Sequence, residues 1–272
     1  MLTVIQRAIV ALLKAKRDDA VYVAGGAALN FETPRLSDDL DMFGKCPDNV
    51  TIAAHRDLRI LASNGYEIDM LKDLPGWVEI VAKKDGSETG LQWIWDDEWQ
   101  FLPIQEDPNF GFAFHRADLA VNKVTAAFGR RRARDYIDLV LIDQGYAPLG
   151  AFIWAAVGKI RRADLTPITI VDELRRRSAS HPVELYQSVA MANGVDPVEL
   201  IRHLPAILDA AEDYVLNRAP VEHWGCLFLS PNGHPAAATK ADLEAGKVAP
   251  VEVSQYGMWP RFGDLEWMPP VP

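Results

Sequence analysis

Asp39 and Asp41 stand one residue apart in the stretch Val23–Phe43, VAGGAALNFETPRLSDDLDMF, downstream of the pair Gly25-Gly26 and of Arg35 and Ser37. In an extended chain, side chains at i and i+2 leave the same face. The two carboxylates then point together and repel unless a cation sits between them. Hard divalent ions such as Mg²⁺ select carboxylate oxygens and complete their shell with water and substrate phosphates. The glycine pair lets backbone N–H groups approach an anion closely, and Ser37 adds a hydroxyl donor beside the acids. A metal-binding acid pair next to a phosphate cradle is what phosphoryl or nucleotidyl transfer requires: charge neutralisation and in-line positioning, with little covalent work. A solvated turn can also carry acids two apart. It has no need of Leu40, Met42 and Phe43 around them, or of a glycine pair closing the preceding apolar run.

The elements that would hold this stretch follow from periodicity and breakers. Val4, Ile5, Ile9, Leu12 and Leu13 fit an amphipathic first helix that ends near Lys16–Asp19. Ala20–Ala24 is β-capable, and Ala27–Phe31 forms a helical turn or two before Pro34. Leu40, Met42 and Phe43 alternate imperfectly with the acids, as in a strand with one functional edge. A helix covers Val50–Ser63, stopped by Asn64-Gly65. Trp77–Lys83 and Leu91–Trp95 read as strands joined by the turn-rich KDGSETG, with Phe101–Ile104 as a shorter one. After Asp107-Pro108 the chain turns helical. Asp118 caps a helix ending at Gly129, and Tyr136–Leu141 continues a second as far as Gly145. Leu149–Ile160, Ile170–Arg177, Val183–Asn193 and Pro197–Leu216 follow, with breaks at Gly194 and Pro205. Beyond Trp224 the runs CLFLS and VEV are β-like around the turn PNGHP. The expected class is α+β: a small mixed sheet with flanking helices, a helical half, and a short β-like tail.

The motifs GG-A-A-L and R-x-S-x-D-x-D-x-F resemble the first block of the AbiEii/AbiGii-type nucleotidyltransferases, prokaryotic proteins of the DNA polymerase β superfamily, many of them toxins. The likeness continues in Asp118-Leu119-Ala120-Val121-Asn122-Lys123 and in Arg134-Asp135-Tyr136-Ile137-Asp138-Leu139, which resemble the family's second block. It covers roughly Val21–Leu141; with the pattern along the chain, it suggests a nucleotidyltransferase αβ domain (1–111), a helical domain completing an active-site cleft (112–222) and a β-like tail packing on the core (223–272). It further implies that Asp39 and Asp41 bind Mg²⁺, that Gly25, Gly26 and Ser37 hold the β- and γ-phosphates of an NTP, and that Lys123 reaches the phosphates. Asp135 either orients Lys123 or acts near the attacking hydroxyl. Asp135 and Asp138 share a helix face at i, i+3. Read alone, Lys123 is a solvated helix lysine and Asp135 an ion-pair partner of Arg131 or Arg132.

One departure concerns a third metal carboxylate, which relatives place on a later central strand. Here that strand reads LQWIWDDEW, with Gln92 and Trp93 where an acid is expected. Asp96 or Asp97 substitutes only in a different register.

The formal net charge of −10 excludes a blanket nucleic-acid coat but leaves room for local basic patches. Three occur: Arg130–Arg132 with Arg134; Lys159, Arg161 and Arg162; and Arg175–Arg177. The latter two read as solvated faces paired with Asp164, Asp172 and Glu173, whereas the first lies between Lys123 and Asp135. Trp93, Trp95 and Trp99 read as sheet packing rather than base stacking. His115, His203 and His223 have no metal-ligand spacing, and no serine sits in a nucleophile elbow. Two cysteines, Cys46 and Cys226, read as reduced thiols of a cytoplasmic protein. Arg7 and Lys14 interrupt the first apolar run, so no targeting segment is expected, and no span approaches the roughly 20 apolar residues of a membrane helix.

The leading expectation is a Mg²⁺-dependent, toxin-like transfer of NMP from an NTP to a hydroxyl of tRNA or another cellular target, with a cognate antitoxin as partner. The rivals are an adenylyltransferase acting on a small molecule such as an antibiotic, and a binding module that kept the fold without turnover.

Overall fold

The computed structural model describes residues 1–96, 99–160, 162–262, 265 and 266. They form an α+β protein whose chain divides into two compact units. The first comprises Met1–Glu98 and Ile104–Leu119, the second Trp99–Pro103 and Ala120–Pro272.

The first unit runs α1 (Val4–Leu13), β1 (Tyr22–Ala24), α2 (Gly25–Leu29), β2 (Asp39–Gly44), α3 (Pro47–Ser63), β3 (Glu67–Leu74), β4 (Trp77–Lys84), β5 (Ser87–Trp95), β6 (Gln105–Asp107) and β7 (Gly111–Ala113). Thr3 opens α1 with a capping box closed by Gln6, which is why the helix begins there. The seven strands lie in the order β3-β4-β5-β2-β1-β7-β6, with β2/β5 and β1/β7 parallel and the other pairs antiparallel. One sheet face is buried. Leu40, Met42, Val78, Ile80, Leu91 and Trp93 form it, packed in one cluster with Ile5 and Ile9 of α1 and with Val50, Ala54 and Leu61 of α3. Each such side chain contributes about 1.5–3 kcal/mol by leaving water. Trp93 donates its indole N–H to Asp57 Oδ2 at 2.9 Å, and Asp57 ion-pairs with the buried Arg17.

Several boundaries differ from the sequence reading. KDGSETG is not a loop: only Asp85 and Gly86 turn, both at positive φ, and the strand resumes at Ser87. That two-residue turn matches the strands' twist, so the polar residues Ser87 and Glu88 pair as strand. The edge strand β3 escaped the alternation test because a bulge between Met70 and Lys72 breaks its period. Phe101–Ile104 forms no strand. Its Phe101 and Leu102 are buried, and the pairing falls instead to β6 and β7.

In the second unit α4 (Arg116–Gly129) continues from the first, so Asp118 lies inside its first turn rather than capping it. Then come α5 (Ala133–Gly145), α6 (Leu149–Ile160), α7 (Pro167–Ala179), α8 (Val183–Gln187), α9 (Pro197–Ile201) and α10 (Leu204–Asp213). Val183–Asn193 is thus helical only in its first half, and Pro197–Leu216 breaks before Pro205. A β8–β9 pair (Leu227–Leu229 with Ala249–Val251) flanks the short α11 (Lys240–Glu244), and a two-residue pair joins Arg261–Phe262 to Leu265–Glu266. Cys226, Phe228, Ala238 and Val248 cluster with Trp154 and Tyr214, so this terminal segment shares a core with α6 and the end of α10. Cys46 and Cys226 are both unpaired. No helix among the described residues is long and apolar enough to cross a membrane.

Candidate active site

β2 alternates half-buried and buried positions from Asp39 to Gly44. Leu40 and Met42 enter the core, so Asp39 and Asp41 leave together on the opposite face. Neighbouring strands set what stands beside them: Asp39 pairs with Gly90 of β5, and Asp41 pairs with Ala24 of β1 on one side and Gln92 of β5 on the other. Small residues flank the acids on two of these three positions. Strand pairing brings the backbones within about 5 Å of each other, so glycine and alanine leave the carboxylates lateral room.

The glycine pair closes on the same spot. Gly25 starts α2 at φ 64, a conformation that side chains rarely adopt, and a Cβ there would collide with Asp41 Oδ2 and lie 2.8 Å from its Cγ. A Cβ on Gly26 would stand 2.5 Å from an Arg35 guanidinium nitrogen and 3.3 Å from Ser37 Oγ. Ser37 is buried, and its hydroxyl donates to the Asp39 carbonyl at 2.9 Å, which pins the entry to β2. Its own carbonyl accepts from Gln6 Nε2 at 3.0 Å. The first motif therefore assembles as one local structure within the first unit. Gly25→Ala is expected to lower stability by about 1–3 kcal/mol, the usual cost of forcing a side chain into this backbone region, and to displace the Asp41 carboxylate. A thermal melt with and without Mn²⁺ checks both: the midpoint falls and the metal-induced rise shrinks.

The residues present suit a hard cation. Two half-buried carboxylates share a face with no side chain at Gly25 to fill the space against Asp41. Among the described residues no group of three or more His, Cys, Asp or Glu could hold a metal ion; a cation held by two carboxylates takes the rest of its shell from water and phosphate oxygens, as Mg²⁺ does. On β5 the position beside Asp41 carries no carboxylate. The register places Gln92 next to Asp41, and Gln92 Nε2 donates to Glu79 Oε1 on β4 at 3.3 Å. Asp96 lies past the strand end, where its N–H bonds Gly44 O at 2.9 Å, and Asp97 is outside the described residues.

In the second unit the other motif residues form a buried ionic network. Lys123 Nζ lies 3.0 Å from Asp135 Oδ1 and 2.9 Å from Asp138 Oδ2, and Arg130 Nε lies 2.9 Å from Asp135 Oδ2. Lys123 is 8% exposed and both aspartates 0%. Lys123 is therefore no solvated helix lysine, and Asp135 pairs with Arg130 rather than Arg131 or Arg132, both of which are exposed. Arg130 went unassigned because its role depends on the chain reversing between α4 and α5. Burial alone would push the Asp135 carboxyl up, but Lys123 and Arg130 outweigh it and hold the group down at about 2. A carboxyl so depressed stabilises the fold fully above its ordinary range near 4, and that contribution fades as pH falls towards 2. Its size is about 2 kcal/mol at about 1.4 kcal/mol per pKa unit. In acid titrations followed by circular dichroism, the stability gap between wild type and Asp135→Asn should close between about pH 4 and pH 2.

The remaining candidates resolve simply. Arg162 pairs with Asp164 at 2.8 Å, Arg175 with Asp209 and Glu212 at 2.9 and 2.7 Å, and Arg176 and Arg177 with Glu173, so the Arg175–Arg177 spot is a neutralised face, while Lys159 Nζ donates to Asn122 Oδ1 at 2.7 Å. Arg161 lies outside the described residues. Trp93 is buried, whereas Trp95 and Trp99 are exposed and do not belong to the sheet core. His115 is buried and its ring is pushed down to about 4 by burial; Nδ1 accepts from the Ala117 N–H at 3.1 Å, a structural role.

No family model matches the chain, and no curated protein matches it. Among solved structures its backbone is similar to MenT4, a nucleotidyltransferase toxin from Mycobacterium tuberculosis H37Rv, with a TM-score of 0.47 and 17% identity over 76% of this chain and 82% of that one.

Proposed function

We propose that the protein is a divalent-metal-dependent nucleotidyltransferase. The observation that carries the reading is the placement of Asp39 and Asp41 on one strand face, with the left-handed Gly25 turn closing directly on the Asp41 carboxylate. The resemblance of both motif blocks to the AbiEii/AbiGii-type enzymes supports it from the sequence. Asp39 and Asp41 would hold a Mg²⁺, which when bound supplies charge neutralisation along the triphosphate. Gly25 and Gly26 are the proposed phosphate cradle, their missing Cβ atoms letting Asp41 and Arg35 close on the turn, and Ser37 fixes the acids' strand. Lys123 is the proposed phosphate contact and Asp135 the residue that orients it. With both oxygens engaged and its pKa depressed to about 2, Asp135 is a poor base, which favours that role.

In the reaction an acceptor hydroxyl oxygen forms a bond to the α-phosphorus while the bond from that phosphorus to the bridging oxygen breaks. Pyrophosphate leaves and the hydroxyl proton passes to water. The proposed setting is a toxin-like enzyme of the cytoplasm that modifies tRNA or another cellular acceptor and is held in check by an antitoxin.

Gln92 beside Asp41 favours one alternative, a binding module without turnover. One experiment separates the cases. The protein is incubated with each α-labelled NTP, Mg²⁺ and total tRNA or a panel of small acceptors. Label on RNA supports the leading reading, and label on small molecules alone shifts it to an antibiotic-type acceptor. Nucleotide binding without any transfer identifies the module.

A further inference from the structure

We infer that Arg35 is a positioning residue for the anion at the glycine turn, an inference that rests on the nucleotidyl-transfer reading. Arg35 is 2% exposed, a rare state for a guanidinium, whose removal from water is costly unless the charge is used. It lies against the functional turn rather than in the hydrophobic cluster. Its Nη1 donates to the Leu36 carbonyl at 2.8 Å, while its other terminal nitrogen stands 2.5 Å from where a Gly26 Cβ would be. A side chain at position 26 would force that guanidinium to shift from the backbone of α2.

The opposite side of Gly26 is also held. Its carbonyl accepts from Asn30 N–H at 3.0 Å and from Asn30 Nδ2 at 3.1 Å. Gly26 is clamped between an amide and a guanidinium, and the preceding residue, Gly25, is the one that abuts Asp41. Arg35 therefore does two separable things. Its flat, rigid fork sets the course of the turn. Its fixed charge, buried where screening is weak, raises the potential just behind the place where phosphate would sit.

The second effect gives a signature that simple buttressing lacks. A positive charge near Asp41 opposes binding of a bare cation to the acid pair but favours binding of a metal–polyphosphate complex with net negative charge. Removing it must move the two affinities in opposite directions. The test uses Mn²⁺ alone, titrated by electron spin resonance, and its complex with inorganic tripolyphosphate, titrated by calorimetry, on the full chain. For Arg35→Gln, Mn²⁺ is expected to bind severalfold more tightly and the tripolyphosphate complex about tenfold to a hundredfold more weakly, the range typical of residues that support a metal site from behind. Arg35→Lys keeps the charge, so its Mn²⁺ affinity stays at the wild-type value and its tripolyphosphate affinity falls less. If Arg35→Gln does not fold, Arg35→Lys alone decides.

Parallel weakening of both ligands in either variant, or no change in Arg35→Gln, overturns the inference and leaves Arg35 a structural residue. A wild-type protein that binds neither probe fails differently: it removes the nucleotidyl-transfer reading itself.

Discussion

Asp41→Asn is expected to reduce NMP transfer by at least about a hundredfold to a thousandfold, the range for losing one group that stabilises transition-state charge. The fold should survive. Asp41 is half-buried on the face opposite the core, and its removal leaves Leu40 and Met42 in place. Without metal the variant should be no less stable than wild type, because two like charges on adjacent same-face positions no longer repel. With metal the order reverses. A cation bound only by the folded state raises stability by RT ln(1 + [L]/Kd), so a Mn²⁺ concentration about a hundredfold above Kd stabilises wild type by about 2.7 kcal/mol and Asp41→Asn by far less. Melting curves at several metal concentrations, run beside the labelled-NTP assay, check both parts. Wild-type turnover in Asp41→Asn, or an unchanged metal shift, would remove the metal assignment.

The second large effect belongs to Lys123. Lys123→Met removes the ammonium that lies within 3.0 Å of two fully buried carboxylates, Asp135 and Asp138. Breaking a buried ionic group by deleting one partner costs about 3–5 kcal/mol, because a charge is left in a low dielectric. The loss should depend on pH in a particular direction. Without the ammonium, burial raises a carboxyl's pKa, and a group raised in the folded state destabilises increasingly as pH climbs through its unfolded value. Urea unfolding should therefore show a larger deficit at pH 8 than at pH 5. Adding Asp138→Asn to Lys123→Met should recover part of it, because the pair is in contact and the two changes are not additive. A deficit below about 1 kcal/mol, flat with pH, would overturn the reading of Lys123, Asp135 and Asp138 as a buried ionic network.

The sequence made the acid face legible because a period of two is hard to hide: once Leu40 and Met42 are read as core, Asp39 and Asp41 have one direction left. Gly25-Gly26 was legible as a turn, but its contact with Asp41 required β1 and β2 to be antiparallel neighbours, which no local pattern states. β3 was lost because a bulge shifts its pleat and its apolar residues Met70, Leu71 and Leu74 are exposed. β7 was lost because three residues are too few to show periodicity, and they pair in parallel with a strand about ninety positions earlier. Lys123, Asp135 and Asp138 could be placed on helix faces. Their convergence on one ammonium, joined by Arg130, depended on how α4 and α5 pack. Trp95 shows the converse error: it ends β5 as its pattern predicts, paired with Gly44, but its ring is exposed rather than packed.

The order of strands across the sheet differs from their order along the chain, and this bears on synthesis. β1 emerges early, yet one of its edges is covered only by β7, at Gly111–Ala113. Until those residues leave the ribosome, the nascent sheet carries a bare central strand, Tyr22–Ala24, whose unbonded backbone offers itself to any other extended segment. The glycine turn hangs from the end of that same strand. Growing chains halted before residue 111 would thus be the species most prone to mispair.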